Sequence, residues 1–496
     1  MDTIQQSEQG NIQISQEGQS EQKANQDIKK DEEQKSESLE SEDLDKFSKE
    51  EIIKKYLFIK KENQVLRKQL NHNNDTKAPI PNNSSQNETK KQKKEQKQNN
   101  KKESLFEIYQ QQHYALKMSY VGINYQGLAY QQETDNTVEE QLFKALEKTT
   151  LIKNRDNCNF TRSGRTDKGV SALGQVIGIT LRTSIKIGEN IDEIENKLDY
   201  IKMLNSNLPD DIRILGCSKV DPAFNARFDC QKRIYKYYFF ENQMDIQRMK
   251  EAANLFLGEH DFRNFCKIDV LQTLNYVRII YQLDIEEVQA NFGTLDPRSK
   301  LYVATIQGSA FLWHQIRNMM AILFLVGRKQ EEPSIVTELL DIQKNPSKPN
   351  YEMAPDYPLV LFDCLYNNVS FNYSSDQIKI YEHYLQIIQK KCIENQLYIT
   401  TLNYMAQTAQ QFNNYNLIQN SLISEEATLR NKKYQHLSKR QCAQSSEDTL
   451  KNLKGRKLDK FLIKQEKQIN YQQQREAEKN LSQTQDQTSE GNDTQE

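Results

Sequence analysis

The stretch Arg162-Ser163-Gly164-Arg165-Thr166-Asp167-Lys168-Gly169 sets one carboxylate among three cations, with glycines at 164 and 169. Nearby cations favour the carboxylate anion and lower its pKa. An ionised aspartate on a short loop is what nucleophilic or general-base chemistry uses. A solvated turn has the same composition, because glycine and polar residues beside a strand are ordinary turn material. The next residues argue for a rigid mount. Val176 to Arg182 alternates, with Ile177, Ile179 and Leu181 on one side of a period-two strand.

Two other segments carry reactive or binding side chains. Arg233-Ile234-Tyr235-Lys236-Tyr237 reads as a strand whose one face holds Arg233, Tyr235, Tyr237 and Phe239. Phe311 to Asn318 places Arg317 on a helix striped by Ile316, Met320, Leu323 and Phe324, which Gly327 can terminate. By spacing alone Tyr235 reads as a core aromatic no different from Tyr237 and Tyr238, and Arg317 as a surface cation on an amphipathic helix.

Arg162 to Ala172 resembles the active-site motif of the TruA family of tRNA pseudouridine synthases. The likeness continues in order through most of 115–370, in Pro209-Asp210-Asp211-Ile212-Arg213, Phe224-Asn225-Ala226-Arg227-Phe228, Arg233 to Tyr237, His260-Asp261-Phe262 and Phe311 to Met319. It implies an α+β fold, with two related α+β subdomains joined into one antiparallel sheet and a catalytic cleft between them. The implied reaction turns uridine into pseudouridine, with no metal and no cofactor. Asp167 matches the nucleophile, and Arg317 matches its basic partner, which within about 4–6 Å would keep it anionic. Tyr235 matches the tyrosine whose ring can stack on the flipped base and whose hydroxyl can relay the C5 proton. Arg165 would fill the space left by the flipped base or bind the flanking phosphate. Arg162, Lys168 and Arg227 are candidate phosphate contacts, and Leu359 falls near the apolar lining of the base pocket.

Within the family, the chain is most similar to the eukaryotic branch acting on tRNA positions 38 and 39 in the anticodon stem-loop. The cues are Thr137 to Phe143, His260 to Lys267, Met319 to Leu325 and Asn345 to Pro349. A synthase with broader tRNA or small nuclear RNA targets is one alternative. A non-catalytic tRNA-binding chaperone of the same fold is another, although it would have no need for Asp167, Tyr235 and Arg317 together.

The chain must also position these groups, and its composition restricts where a core can form. Of 496 residues 36% are hydrophobic and 27% charged, with 67 basic against 69 acidic residues. A net charge of −2 gives no global sign of nucleic-acid affinity, so an RNA surface must come from local clustering. Cys158, Cys217, Cys230, Cys266, Cys364, Cys392 and Cys442 form no Cys-x-x-Cys, which suits reduced thiols inside the cell. The N-terminus shows no secretory signal, and the longest apolar run, Met319 to Val326, is too short to cross a bilayer. A soluble protein of nucleus or cytoplasm is expected.

Seven segments follow. Residues 1–43 are expected to be disordered. Residues 44–70 are expected to form an amphipathic helix with a seam of Ile52, Tyr56, Ile59, Asn63, Leu66 and Leu70, suiting a short homodimeric coiled coil or a lone docking helix. Residues 71–113 are a polar linker whose lysines between Lys90 and Lys102 suit phosphates, a nuclear localisation signal or mere solvation. The two catalytic subdomains are 114–230 and 231–370, followed by a helical and basic extension over 371–468 and a disordered tail over 469–496. In the first subdomain Leu116, Met118 and Tyr120 mark a strand, Thr137 with Glu140 a capping box, and Ile191 to Leu204 a helix. In the extension, Asn431 to Arg440 is a basic cluster that suits an RNA contact or a docked tail.

Overall fold

The computed structural model describes residues 104–271, 273–288, 300–373, 377–411 and 434–466, so the expectations for 1–43, 44–70, Lys90 to Lys102 and 469–496 lie outside the described residues. Alternation builds the first strands. β1 (Tyr109–Tyr120) buries Leu116, Met118 and Tyr120. Helix α1 (Val138–Lys148) begins where Thr137 Oγ1 accepts a hydrogen bond from Glu140 N at 3.2 Å. The reciprocal half of the capping box is absent, because the Glu140 carboxylate is taken by Arg155 Nη2 at 3.1 Å. β2 (Thr161–Arg162) lies along β3 (Ser171–Lys186), and the motif loop spans the gap between them.

The helix expected over 191–204 shrinks to α2 (Tyr200–Asn205). Asn196 explains the loss: its Oδ1 accepts from Ser184 N at 3.0 Å, tying the segment to β3 before a helix can start. Asp199 then caps α2 by accepting from Lys202 N. The chain continues through β4 (Ile212–Lys219), β5 (Lys232–Phe240), α3 (Ile246–Asn254), β6 (Gly258–Asp261), β7 (Val277–Glu287) and β8 (Leu301–Gly308). Along β5 the face of Arg233, Tyr235, Tyr237 and Phe239 is buried, as the alternation requires.

Helix α4 (Gln315–Gly327) is buried almost all round, which its apolar sequence dictates. Gly327 does not terminate it through a left-handed turn; the positive φ falls at Lys329 (58°). Glycine is needed there for space, since a Cβ would meet Met249 Sδ at 2.7 Å. After α5 (Ile335–Leu340) come β9 (Leu359–Leu365), β10 (Asn372–Tyr373), α6 (Gln377–Gln411) and α7 (Ser446–Lys451).

All these strands form one ten-stranded sheet in the order β10-β4-β1-β3-β9-β5-β8-β7-β6, with β2 paired to β3. It is a mixed sheet and not wholly antiparallel. The chain leaves one half after β4 and returns in the same direction as β9, so β3 and β9 pair in parallel at Ser171↔Val360 and Ala172↔Leu361. That seam sits where the motif loop enters β3. The described C-terminal residues strap across the second half. Buried Glu331 accepts from Tyr434 Oη and from Leu437 N, both at 2.7 Å, so 434–440 is a docked tail.

Beside the seam, Lys117 Nζ on β1 reaches across β3 to Asp363 on β9 at 2.9 Å. The crossing passes over Gly174, where a Cβ would lie 2.6 Å from Phe362 O. Gly174→Ala should therefore force β3 and β9 apart and cost about 1–3 kcal/mol. Denaturant unfolding checks this, and an unchanged midpoint would show that the seam tolerates the added methyl.

Candidate active site

The motif loop is pinned at both ends. Ser163 N donates to Val176 O at 2.9 Å, and Gln175 Nε2 donates to Gly164 O at 2.7 Å. Ser163 O accepts from Arg233 Nε and Nη2, at 3.2 and 2.8 Å. At the middle, Thr166 Oγ1 meets the buried Tyr120 hydroxyl at 2.7 Å, and Leu128 N donates to Thr166 O. Gly169 turns the chain at φ 78°, packed so closely on Asp356 that a Cβ would lie 2.9 Å from Asp356 Oδ1.

These restraints hold Asp167 with its side chain 27% exposed. Its Oδ1 accepts from Trp313 Nε1 at 3.1 Å, and its Oδ2 lies 3.4 Å from His314 Nε2. Lys267 Nζ stands 4.2 Å from the centroid of the Trp313 ring. A cation over an indole withdraws electron density from the ring and makes its N–H a better donor. His314 occupies the N-cap of α4 with a left-handed φ of 64° and no side-chain cap bond. That conformation costs on the order of 1–3 kcal/mol and leaves the imidazole free to face Asp167. Burial, with Arg317, Lys267 and Lys348 nearby, brings the His314 pKa down to about 4, so the ring is neutral at pH 7.

The expected electrostatics need correcting. The Asp167 pKa is raised, because burial outweighs the opposing Arg317 charge, the Trp313 hydrogen bond and Lys267, while Asp356 pushes it further up. The motif's own cations do little of the expected work. Arg162 is engaged by the buried Glu139 and lies over the Phe160 ring, whereas Arg165 and Lys168 are exposed. Arg317 does not pair directly with Asp167. Its Nε donates to Ala354 O at 2.8 Å and its Nη2 lies 3.8 Å from Asp356 Oδ2, so it reaches Asp167 through its field.

Tyr235 is 8% exposed and its ring meets Phe311 edge-on, with centroids 5.1 Å apart. Its hydroxyl would stand 4.0 Å from a Cβ at Gly164, and the glycine leaves that space open. Burial raises the Tyr235 pKa and the Asp167 charge adds to the rise, so the phenol stays protonated. Leu359 is buried at the start of β9, opposite Tyr237, and its N–H donates to Asp356 O at 3.0 Å. Arg227 is exposed, its pKa lowered by partial desolvation and then by Arg165, Arg233 and Arg162, which marks a cluster of like charges.

Trp313, His314, Asp356 and Arg233 hold the site together, yet sequence reasoning gave them no roles. Trp313 and His314 stood inside the segment that carried Arg317, and Arg233 stood on the face that carried Tyr235. Among the described residues no group of three or more His, Cys, Asp or Glu side chains could hold a metal.

Several known proteins are similar to this chain. A family profile described as tRNA pseudouridine synthase matches residues 252–367. A tRNA pseudouridine(38/39) synthase of Bos taurus is 39% identical over 346 residues, 67% of this chain and 70% of the relative. The Homo sapiens protein of the same name is 44% identical over 283 residues, 55% of this chain and 59% of the relative. The one from Saccharomyces cerevisiae is 45% identical over 258 residues, 50% and 56% of the two chains. The match thus spans little more than half of the human and yeast proteins.

The site's electrostatics have a measurable sign. If the reaction uses Asp167 as an anion, activity should be present above its raised pKa and lost as pH falls through it. Asp356→Asn removes the like charge and should move the acid limb of the pH–rate profile to lower pH, by up to about one unit. A limb that stays in place or moves upward would show that Asp356 does not act on Asp167.

Proposed function

We propose, because this chain belongs to the tRNA pseudouridine synthase family, that it converts uridine to pseudouridine in the anticodon stem-loop of tRNA, at positions 38 and 39. The observation that carries the reading is the half-buried Asp167 carboxylate, held by Trp313 within the electrostatic reach of Arg317 and Tyr235. Relatives named for positions 38 and 39 support the choice of uridine. The strand–helix–strand order on either side of the β3–β9 seam supports reading the sheet as two related subdomains with the site between them.

In this reading the uridine leaves its stack and enters the cleft between the motif loop and β5. The N1–C1′ bond breaks, the base turns, and C5 joins C1′. The C5 proton leaves and N1 gains one, so atoms balance without a co-reactant. Asp167 is the nucleophile. Burial raises its free energy as an anion, which makes it more reactive while Arg317 keeps enough of it charged. Tyr235, a neutral phenol with a raised pKa, suits a relay that accepts and donates a proton better than a phenolate base. Leu359 lines the base pocket, Arg165 supports the flipped state, and Lys168 and Arg227 take phosphates. With Glu139 on its guanidinium, Arg162 is an anchor of the loop and not a phosphate contact.

Asp167→Asn keeps the shape of the side chain and removes its charge. Incubation with unmodified tRNA and mapping of pseudouridines should show product at positions 38 and 39 with the parent. With the variant the rate should fall by about 10³-fold or more, with tRNA affinity changed less than about threefold. Retained turnover in the variant, or parent product at other positions only, would sink this reading.

A further inference from the structure

Residues 456–466 are helical (α8), and the proposed reaction does not use them. Its cations follow helical spacing: Lys457, Lys460 and Lys464 recur at three and four, and Arg456 lies four before Lys460. Lys454, Arg456, Lys457 and Lys460 are exposed and form no ion pair among the described residues. Like charges four apart oppose a helix, so this face is built at a cost that an anion would remove.

The placement of α8 says which anion. Lys464 Nζ donates to Leu271 O at 3.0 Å, and its pKa is lowered by desolvation, with Arg227 close enough to contribute. Arg227 O in turn accepts from Arg233 Nη2 at 2.8 Å, the same nitrogen that holds Ser163 O of the motif loop. Through these contacts α8 is anchored on the same side as Arg227, which feels the Arg165 charge in turn, with Asp269 the acidic neighbour of Lys464. Net charge is −2, so attraction of a polyanion has to come from local clusters of this kind.

We propose that α8 is an outer wall of the tRNA cleft, and that Arg456, Lys457 and Lys460 hold backbone phosphates of the bound tRNA. Lys464 fixes the helix to the body. The inference rests on the reading of the protein as a tRNA-modifying enzyme and adds a second contact region away from Asp167.

The test uses the full chain and unmodified tRNA. In the triple variant Arg456→Gln, Lys457→Gln, Lys460→Gln, the slope of log affinity against log salt should flatten by about two to three units, roughly 0.7–0.9 per lost contact. Kd should rise severalfold at moderate salt. The charge-keeping triple Arg456→Lys, Lys457→Arg, Lys460→Arg should hold the parental slope. A parental slope in the Gln variant overturns the inference and leaves α8 to an acidic protein surface. A charge-keeping variant that loses as much as the Gln variant overturns it too, because shape and not charge would then matter. If the parent itself neither binds tRNA nor forms pseudouridine, both readings fall; if the parent does both, only α8 is at stake.

Discussion

Arg233 is a buried cation that meets only carbonyls. Its guanidinium donates four hydrogen bonds, two to Ser163 O and one each to Arg227 O and Ser309 O, and no carboxylate among the described residues pairs with it. Charged donors to backbone oxygens make strong bonds, and strength is needed to offset removing a cation from water. Three chain segments thereby share one centre: the motif loop, the approach to β5 and the exit from β8. Because no carboxylate among the described residues neutralises the charge, it adds to the positive field that Arg227 also feels from Arg165 and Arg162.

The site works by imbalance between burial and charge. Burial lifts the Asp167 pKa, Arg317 and Lys267 oppose it, and Asp356 sides with burial. Arg317 leans on Asp356 and Ala354, so its field, not a direct contact, steadies the anion. A carboxylate clasped tightly by a guanidinium would be held far more firmly in the anionic form. Neutral His314 adds a polar contact without a competing positive charge.

Periodicity made the strands legible. The buried face of β5, the β1 alternation and the apolar stripe of α4 all follow from residues two or three to four apart. Features made by distant partners were hidden. Asn196 looked like one polar position in a helix and proved to be a tether to β3. Glu140 looked like the second arm of a capping box, but Arg155 competes for it. The motif loop announced Asp167, but Trp313 lies 146 positions away and Asp356 farther still, so their meeting is a property of the sheet order. The parallel seam was invisible for the same reason: local pattern fixes which residues form a strand, not which way its neighbour runs.

The seam also has a mechanical meaning. β1 and β3 are joined by ten paired positions, whereas β3 and β9 are joined by two. A plate laced so unevenly does not bend uniformly; it creases along the short lacing. Torsional fluctuation of the sheet should concentrate there, where β3 receives the Asp167 loop and β9 begins with Leu359. The mouth between the halves can then widen by flexing at the crease while each half keeps its internal register. The contacts that bridge the halves, from Trp313 to Asp167 and from Arg233 to Ser163 O, then set how far the crease can open.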